Sequence, residues 1–221
     1  MRPTKAALIF SLMLGLGIAV AGCETGPAPE PKGSVTALML IGMQRDFLQP
    51  NGRRPVAPDQ VEPMIKAANA MIGAMRKQPM PVIYIEDQYT PFQFAAGLSN
   101  GWSAQRYEAG SALDPRIDNW AGVYFQKQGK DAFRNSELIS HLKIIDCGTL
   151  VMAGVYADAS VLDTVGNALK RGYSVVVISD AVAAASDQAR DDALNRIKQA
   201  GAKIETSGEF ISSLGAGQKA A

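Results

Sequence analysis

From residue 35 onward, short apolar segments alternate with amphipathic ones, and this alternation limits the possible folds more than any other feature. Buried strands joined by helices form mostly parallel sheets covered on both faces. The sequence therefore predicts a three-layer α/β/α domain with a doubly wound, six-stranded, mostly parallel sheet. The predicted strands are Val35 to Ile41, Pro81 to Ile85, Gly122 to Phe125, Leu150 to Ala153, Ser174 to Ile178 and Ala202 to Glu205.

The helical segments between these strands show their own start and stop signals. They are predicted at Pro58 to Gln78, Asn135 to Lys143, Asp158 to Arg171, and from a capping Ser186 to Ala200. We expect the Asp158 carboxylate to cap its helix. A long segment of turn residues and aromatics, 86–119, follows the second strand, and loops of this length are usually functional or built around small helices. In such folds ligands bind outside the carboxyl ends of the strands.

Composition excludes several classes of protein. Lys+Arg 22 against Asp+Glu 21 leaves no basic surplus for nucleic acid. Two cysteines cannot form a disulfide scaffold or a cysteine-only zinc site, and one histidine cannot form a histidine-rich metal centre. No cofactor and no metal are predicted.

The first 34 residues are predicted to form an export signal followed by a tether. Two basic residues precede an apolar run at 6–21, which is short against the roughly 20 residues that span a membrane. The run ends in Val-Ala-Gly-Cys, which resembles the lipobox of bacterial lipoproteins. By that resemblance residues 1–22 are a signal peptide, Cys23 is lipidated and residues 23–34 form a flexible Pro/Gly-rich tether. An uncleaved anchor helix is the alternative.

The remaining boundaries follow from the same pattern. The folded domain is predicted over residues 35–213, and residues 214–221 are predicted to be a disordered tail. Glu24 directly after the lipidated position favours, by resemblance, the periplasmic face of the outer membrane. The lipid anchor is therefore one expected partner, and an unknown small molecule or an envelope protein is another.

Three motifs stand at predicted strand ends: Gly-Met-Gln-Arg-Asp-Phe at 42–47, Lys-Gln-Gly-Lys-Asp-Ala-Phe at 127–133 and Gly-Val-Tyr-Ala-Asp-Ala-Ser-Val at 154–161. They resemble, in order, the Asp-Met-Gln-x-Asp-Phe, Lys-x-x-x-Ser-Ala-Phe and Gly-Val-x-Thr-x-x-Cys-Val motifs of the isochorismatase-like hydrolases, a superfamily that includes nicotinamidases and other cysteine hydrolases. The resemblance covers roughly residues 35–210 and implies that superfamily's fold. It also implies a cis peptide between Val155 and Tyr156, and members often form homo-oligomers.

The resemblance implies a catalytic site with two substitutions. In active members a carboxylate takes the thiol proton, a lysine steadies the charges and a cysteine thiolate attacks the substrate. The carboxylate position here is Gly42, the lysine is Lys127, and the cysteine position is Ser160. Glycine cannot accept a proton, and serine is a poor nucleophile without an adjacent base.

The rest of the predicted pocket comes from neighbouring strand ends, namely Gln44, Val155, Tyr156, Glu86 and Asp87. Without a carboxylate at position 42, Lys127 either finds another acidic partner, such as Glu86, Asp87 or Asp158, or gives up its charge when buried. The stretch 86–90, where amidase members hold a metal, contains no histidine.

Three functions fit this pattern. The first is a pseudo-enzyme that binds a small molecule or a protein in the old pocket. The second is an active hydrolase of small amides or esters, in which Lys127 activates Ser160 as a Ser–Lys dyad; this requires Nζ within about 3 Å of Oγ. The third is a purely structural lipoprotein, whose cleft would be filled by the aromatic side chains of the long loop.

Overall fold

The computed structural model describes residues 33–78, 80–90, 93, 97–98 and 101–217. The predicted signal peptide, Cys23 and most of the predicted tether lie outside the described residues. No helix within the described ranges is both long enough and apolar enough to cross a membrane.

Six strands form one sheet in the order β3-β2-β1-β4-β5-β6, and every neighbouring pair is parallel. The chain lays down β1 to β3 in one direction and then returns to the other side of β1 for β4 to β6. The switch point therefore lies between β1 and β4, where doubly wound sheets open a crevice. The strands are β1 (Val35–Ile41), β2 (Val82–Asp87), β3 (Val123–Lys127), β4 (Cys147–Val155), β5 (Ser174–Ala183) and β6 (Lys203–Glu205).

Helices cover both faces of the sheet and give the predicted three layers. One hydrophobic core joins the sheet to α2 and α6, and a second joins its other face to α3, α4 and α5. Strand β1 alternates between the two cores: Leu38 and Leu40 face the first, while Met39 and Ile41 face the second. The helices are α1 (Arg45–Leu48), α2 (Pro58–Met75), α3 (Ser136–Ile144), α4 (Leu162–Lys170), α5 (Asp187–Gln199) and α6 (Ser207–Gly217).

Local signals explain where the helices begin. The Asn135 side chain accepts from Glu137 N at 2.8 Å and Leu138 N at 3.1 Å at the start of α3. Ser186 Oγ accepts from Ala189 N at 3.2 Å at the start of α5. Each such cap contributes about 1 kcal/mol to helix stability.

Several element predictions need correction. Strands β2, β3 and β5 continue past their predicted ends to Asp87, Lys127 and Ala183. Helix α2 ends at Met75 instead of Gln78, and β4 runs from Cys147 instead of Leu150. The segment predicted as one helix from Asp158 opens with a π turn, Ala157–Val161, whose N-cap is Tyr156 without a side-chain cap. The predicted capping role of Asp158 is therefore wrong, because the turn begins one residue before this carboxylate.

Asp46 ties the long loop to the domain. Its carboxylate accepts hydrogen bonds from Ala104 N at 2.7 Å and from Arg53 N at 3.3 Å, and the residue is buried. Because a buried carboxylate needs such donors, this contact fixes the loop beside the carboxyl end of the sheet.

Candidate active site

The carboxyl ends of four adjacent strands bring the three motifs together. Gly42 follows β1, Asp87 ends β2, Lys127 ends β3, and Ser160 lies in the π turn after β4. Parallel pairing places Asp87 directly opposite Lys127 in the register of β2 and β3. The site therefore lies at the topological switch point.

Lys127 is the centre of this cluster. Its Nζ donates to Asp87 Oδ1 at 2.5 Å, to Ser160 Oγ at 2.9 Å and to the carbonyl oxygen of Gly129 at 2.9 Å. The residue exposures of Lys127, Asp87 and Ser160 are 3%, 5% and 8%. A buried ammonium and a buried carboxylate are stabilised only when paired in this way.

Asp87 occupies space next to the missing family carboxylate. A Cβ built on Gly42 would lie 3.6 Å from Asp87 Oδ2, which is ordinary van der Waals contact. Gly42 itself has φ +64, and the same Cβ would lie 2.7 Å from the carbonyl oxygen of Val155. This backbone therefore accepts glycine at position 42, while the neighbouring strand supplies the carboxylate.

Of the three acidic partners predicted for Lys127, the structure brings Asp87 to it. Glu86 precedes Asp87 in β2, so its side chain points to the opposite face of the sheet. Burial raises the pKa of the Glu86 carboxyl above its ordinary value of 4.5, and a hydrogen bond from Gln88 opposes that change. Asp158 is exposed at the rim of the cavity and forms no salt bridge with Lys127.

Gln44 positions Asp87 from behind. Its Nε2 donates to the carbonyl oxygen of Asp87 at 2.8 Å and to that of Ser111 at 2.6 Å, while its Oε1 accepts from Asp87 N at 2.8 Å. The side chain thus holds both backbone groups of Asp87. Gln44 is fully buried, with an exposure of 0%.

A cavity of about 730 Å³ opens directly over Ser160. Asp87 and Tyr156, which the sequence placed in the pocket, line this cavity. Gln44, Val155 and Glu86, which the sequence also placed in the pocket, do not: the first two are buried in the domain, and Glu86 faces away. Sequence position alone does not separate residues that line a pocket from those that support its wall.

Tyr156 forms one wall of the cavity. Its ring meets Phe47 edge-on, with centroids 5.7 Å apart, and the Arg54 guanidinium lies 4.9 Å from the ring centroid. Its hydroxyl donates to the carbonyl oxygen of Arg54. Burial raises the pKa of Tyr156 to about 12, so the phenol stays protonated at neutral pH. The peptide between Val155 and Tyr156 is cis, as the family resemblance implies.

The π turn presents backbone donors beside Ser160. Its first backbone bonds run from Ala159 N and Val161 N to the carbonyl oxygen of Tyr156, both at 3.1 Å. Within the described part of the chain, neither Asp158 N nor Ser160 N donates to a backbone oxygen outside this turn. The first N–H groups of a helical turn are suited to an anionic oxygen.

The other candidate groups lie elsewhere. Cys147 begins β4, so it stands at the amino end of the sheet, and burial raises the pKa of its thiol to about 11. Across the described ranges, no group of three or more His, Cys, Asp or Glu side chains is arranged to hold a metal ion. A second hollow, of about 650 Å³, follows β3; Lys127 and Arg134 line it, whereas Ser160 and Asp87 do not.

Comparisons with known proteins agree with the fold. The isochorismatase family protein YecD of Escherichia coli O157:H7 is 23% identical over 196 residues, which cover 84% of this chain and 99% of that protein. An isochorismatase-like hydrolase from Alkaliphilus metalliredigens superposes with a TM-score of 0.77 at 20% identity, covering 82% of this chain and 100% of its own. A cysteine hydrolase from Pseudomonas syringae superposes with a TM-score of 0.75 at 18% identity, covering 86% and 95%.

At these identities the solved structures establish the fold, and the family assignment rests on sequence. The family model of the isochorismatase domain matches residues 36–209, a span that runs from β1 into α6 and includes all three motifs. This chain therefore belongs to the isochorismatase family.

Proposed function

We propose that this protein is a hydrolase of small esters or amides, with Ser160 as its nucleophile and the Asp87–Lys127 pair as its proton-handling group. The observation that carries the proposal is the 2.9 Å contact between Lys127 Nζ and Ser160 Oγ. This distance meets the geometric requirement for proton transfer between an amine and a hydroxyl. The open cavity over Ser160 gives a small substrate access to that atom.

The pair can handle the serine proton by internal exchange. A carboxylate and an ammonium 2.5 Å apart can pass one proton between them, giving a carboxylic acid and a neutral amine. In that form Nζ has a lone pair, and it accepts the Ser160 hydroxyl proton while Oγ bonds to the substrate carbonyl carbon. The carbonyl electron pair moves onto its oxygen, next to the amides of Asp158 and Ser160.

The second half of the reaction returns the proton. As the tetrahedral intermediate collapses, the bond to the leaving alcohol or amine breaks and the leaving group takes the proton from Nζ. An acyl group then remains on Ser160. Water then attacks the acyl carbon while Nζ accepts its proton. As this second intermediate collapses, the bond to Oγ breaks, Oγ takes the proton back from Nζ, and the acyl group leaves as the carboxylic acid.

One observation favours the binding pseudo-enzyme as a second candidate. The three contacts of Nζ match the three N–H groups of an ammonium, so that Ser160 accepts a hydrogen bond from it. A lysine held permanently in this form would position Ser160 without activating it. The structural-lipoprotein hypothesis fits less well, because the cavity is open and Tyr89 is the one aromatic residue of the described part of the loop that lines it.

We also propose that the domain is anchored in the bacterial envelope through a lipid on Cys23. The support is the Val-Ala-Gly-Cys sequence at the end of the apolar run. Mass spectrometry of the mature N-terminus tests this directly. We expect a chain that begins at a diacylated or triacylated Cys23 and fractionates with membranes, whereas Cys23→Ala should retain residues 1–22 and carry no lipid.

A serine-reactive fluorophosphonate probe tests the catalytic proposal. We expect the full chain to be labelled at Ser160, and labelling to be lost in both Ser160→Ala and Lys127→Ala. Ser140→Ala is the matched control, because its hydroxyl only bonds the carbonyl oxygen of Ser136 within α3. If folded wild-type protein is not labelled, Ser160 is not activated and the binding pseudo-enzyme replaces the hydrolase.

A further inference from the structure

The rim of the cavity over Ser160 carries an unbalanced positive charge. Arg54, Lys130 and Arg134 all line it and are exposed. Among the described residues of the lining, the other charged side chains are Asp158 and Asp87, and the adjacent Lys127 balances the charge of Asp87. The lining thus has a surplus of about two positive charges in a chain whose total is +1.

These cations have no acidic partners in the part of the chain that the structure describes. Within the described ranges, no salt bridge involves Arg54, Lys130 or Arg134. The neighbouring Arg53 behaves differently, because its guanidinium pairs with Glu108 away from this cavity. Unpaired cations around a concave site raise the local concentration of anions there and remain free to bind them.

Different contacts place the two arginines at the cavity. Arg54 lies against the Tyr156 ring, at 4.9 Å from its centroid, and Tyr156 in turn bonds its backbone. Arg134 Nη1 lies 3.7 Å from the point where a Cβ on Gly129 would stand, and the Gly129 carbonyl oxygen accepts from Lys127 Nζ. Arg134 therefore lies beside Gly129, which is in direct contact with Lys127. Arg54 lies against Tyr156, which forms one wall of the cavity.

We propose that the substrates of this site are anionic: small esters or amides that carry a free carboxylate, bound by Arg54 and Arg134. A guanidinium binds a carboxylate through two parallel N–H···O bonds, which gives both charge and orientation. This inference rests on the proposed hydrolase function, since it names the class of molecule that Ser160 would attack. Lys130 adds to the attraction at the same rim.

Binding is tested without hydrolysis in full-chain Ser160→Ala protein. Calorimetric titration with adipate, a six-carbon dicarboxylate, should show binding that weakens between 0.05 and 0.5 M NaCl, while the uncharged adipamide should not bind. In this Ser160→Ala protein, a second substitution, Arg54→Gln or Arg134→Gln, should weaken adipate binding about tenfold, because each removes one charge-assisted contact. Arg53→Gln is the matched control and should leave it unchanged.

Hydrolysis is tested with two esters of equal length on the otherwise unchanged chain. Mono-4-nitrophenyl adipate should be cleaved with a kcat/KM at least tenfold above that of its methyl-capped, uncharged analogue. The difference should come from a lower KM for the charged ester, with kcat unchanged. Arg54→Gln and Arg134→Gln should remove that preference, and Arg53→Gln should keep it.

The two arms separate the two ideas. Selective adipate binding with no cleavage of either ester overturns the hydrolase and leaves the anion site standing. Cleavage of both esters at equal kcat/KM, with no effect of either arginine, overturns the anion site and leaves the hydrolase standing. Equal binding of adipate and adipamide also overturns the anion site.

Discussion

Neutralising Asp87 should leave an unpaired buried ammonium, and its effect on stability can be estimated from the structure. The side chains of Lys127 and Asp87 are 0% and 7% exposed, and Nζ and Oδ1 are 2.5 Å apart. At an effective dielectric constant of about 20, two unit charges at that separation attract by about 7 kcal/mol. Desolvation of both groups offsets part of this, so removing one partner from a buried pair usually costs about 3–5 kcal/mol.

Asp87→Asn and Lys127→Met should therefore each lower the free energy of unfolding by about 3 kcal/mol or more. Each variant leaves one buried group without its partner while preserving most of the side-chain volume. The double variant Asp87→Asn/Lys127→Met removes both charges together, so we expect it to lose at least about 2 kcal/mol less than the sum of the single losses.

Urea unfolding followed by far-UV circular dichroism measures all four proteins of this cycle. The slope against urea should stay constant across them, because the surface exposed on unfolding is unchanged. Ser140→Ala on α3 provides a control of about zero effect, as surface substitutions usually fall within about 0.5 kcal/mol. Losses that add to within about 0.5 kcal/mol would mean that the two charges do not interact, which refutes the paired site.

Three further predictions concern Gly42, Glu86 and Cys147. Gly42→Ala should destabilise the fold by about 1–3 kcal/mol in urea, because it has φ +64 and the new Cβ would meet Val155 O at 2.7 Å; an unchanged midpoint would contradict that conformation. Because burial raises the folded-state pKa of Glu86 above 4.5, its ionisation opposes folding as pH rises through that pKa. Glu86→Gln should thus raise the urea midpoint at pH 8 with a smaller gain at pH 4; equal gains would exclude a charge effect. The Cys147 thiol, with a pKa of about 11, should resist iodoacetamide at pH 8 until urea unfolds the protein, as peptide mapping will show; fast labelling of folded protein would contradict its burial.

Most of the fold could be predicted from the sequence because the signals are local and repeated. The apolar segment Val35 to Ile41 has the bounds of β1, and Asn135 and Ser186 cap the helices that they were expected to open. Strand ends were less predictable, since β5 continues to Ala183 beyond the predicted Ile178. Hydrophobicity alone does not mark where a strand stops when the next residues remain in the core.

The candidate site could be predicted only in part. Motif order identified Lys127 and Ser160, which the fold brings within hydrogen-bonding distance. The partner of Lys127 stayed open among three acids, because the choice depends on the register of β2 against β3. The two-residue period of a strand was the available signal: it puts Glu86 and Asp87 on opposite faces, but the sequence does not say which face meets Lys127.

The glycine at position 42 is best understood together with Asp87. A side chain at position 42 would start 3.6 Å from Asp87 Oδ2, so a carboxylate there would place two negative charges beside a single lysine. Like charges at such a distance oppose each other's ionisation, and only one can be balanced by Nζ. The glycine removes that conflict and adopts the positive φ of this turn without a Cβ clash, while Gln44 holds the backbone of Asp87 in place. In the proposed mechanism, the carboxylate that the first motif lacks is therefore replaced by Asp87, which the adjacent strand end brings to Lys127.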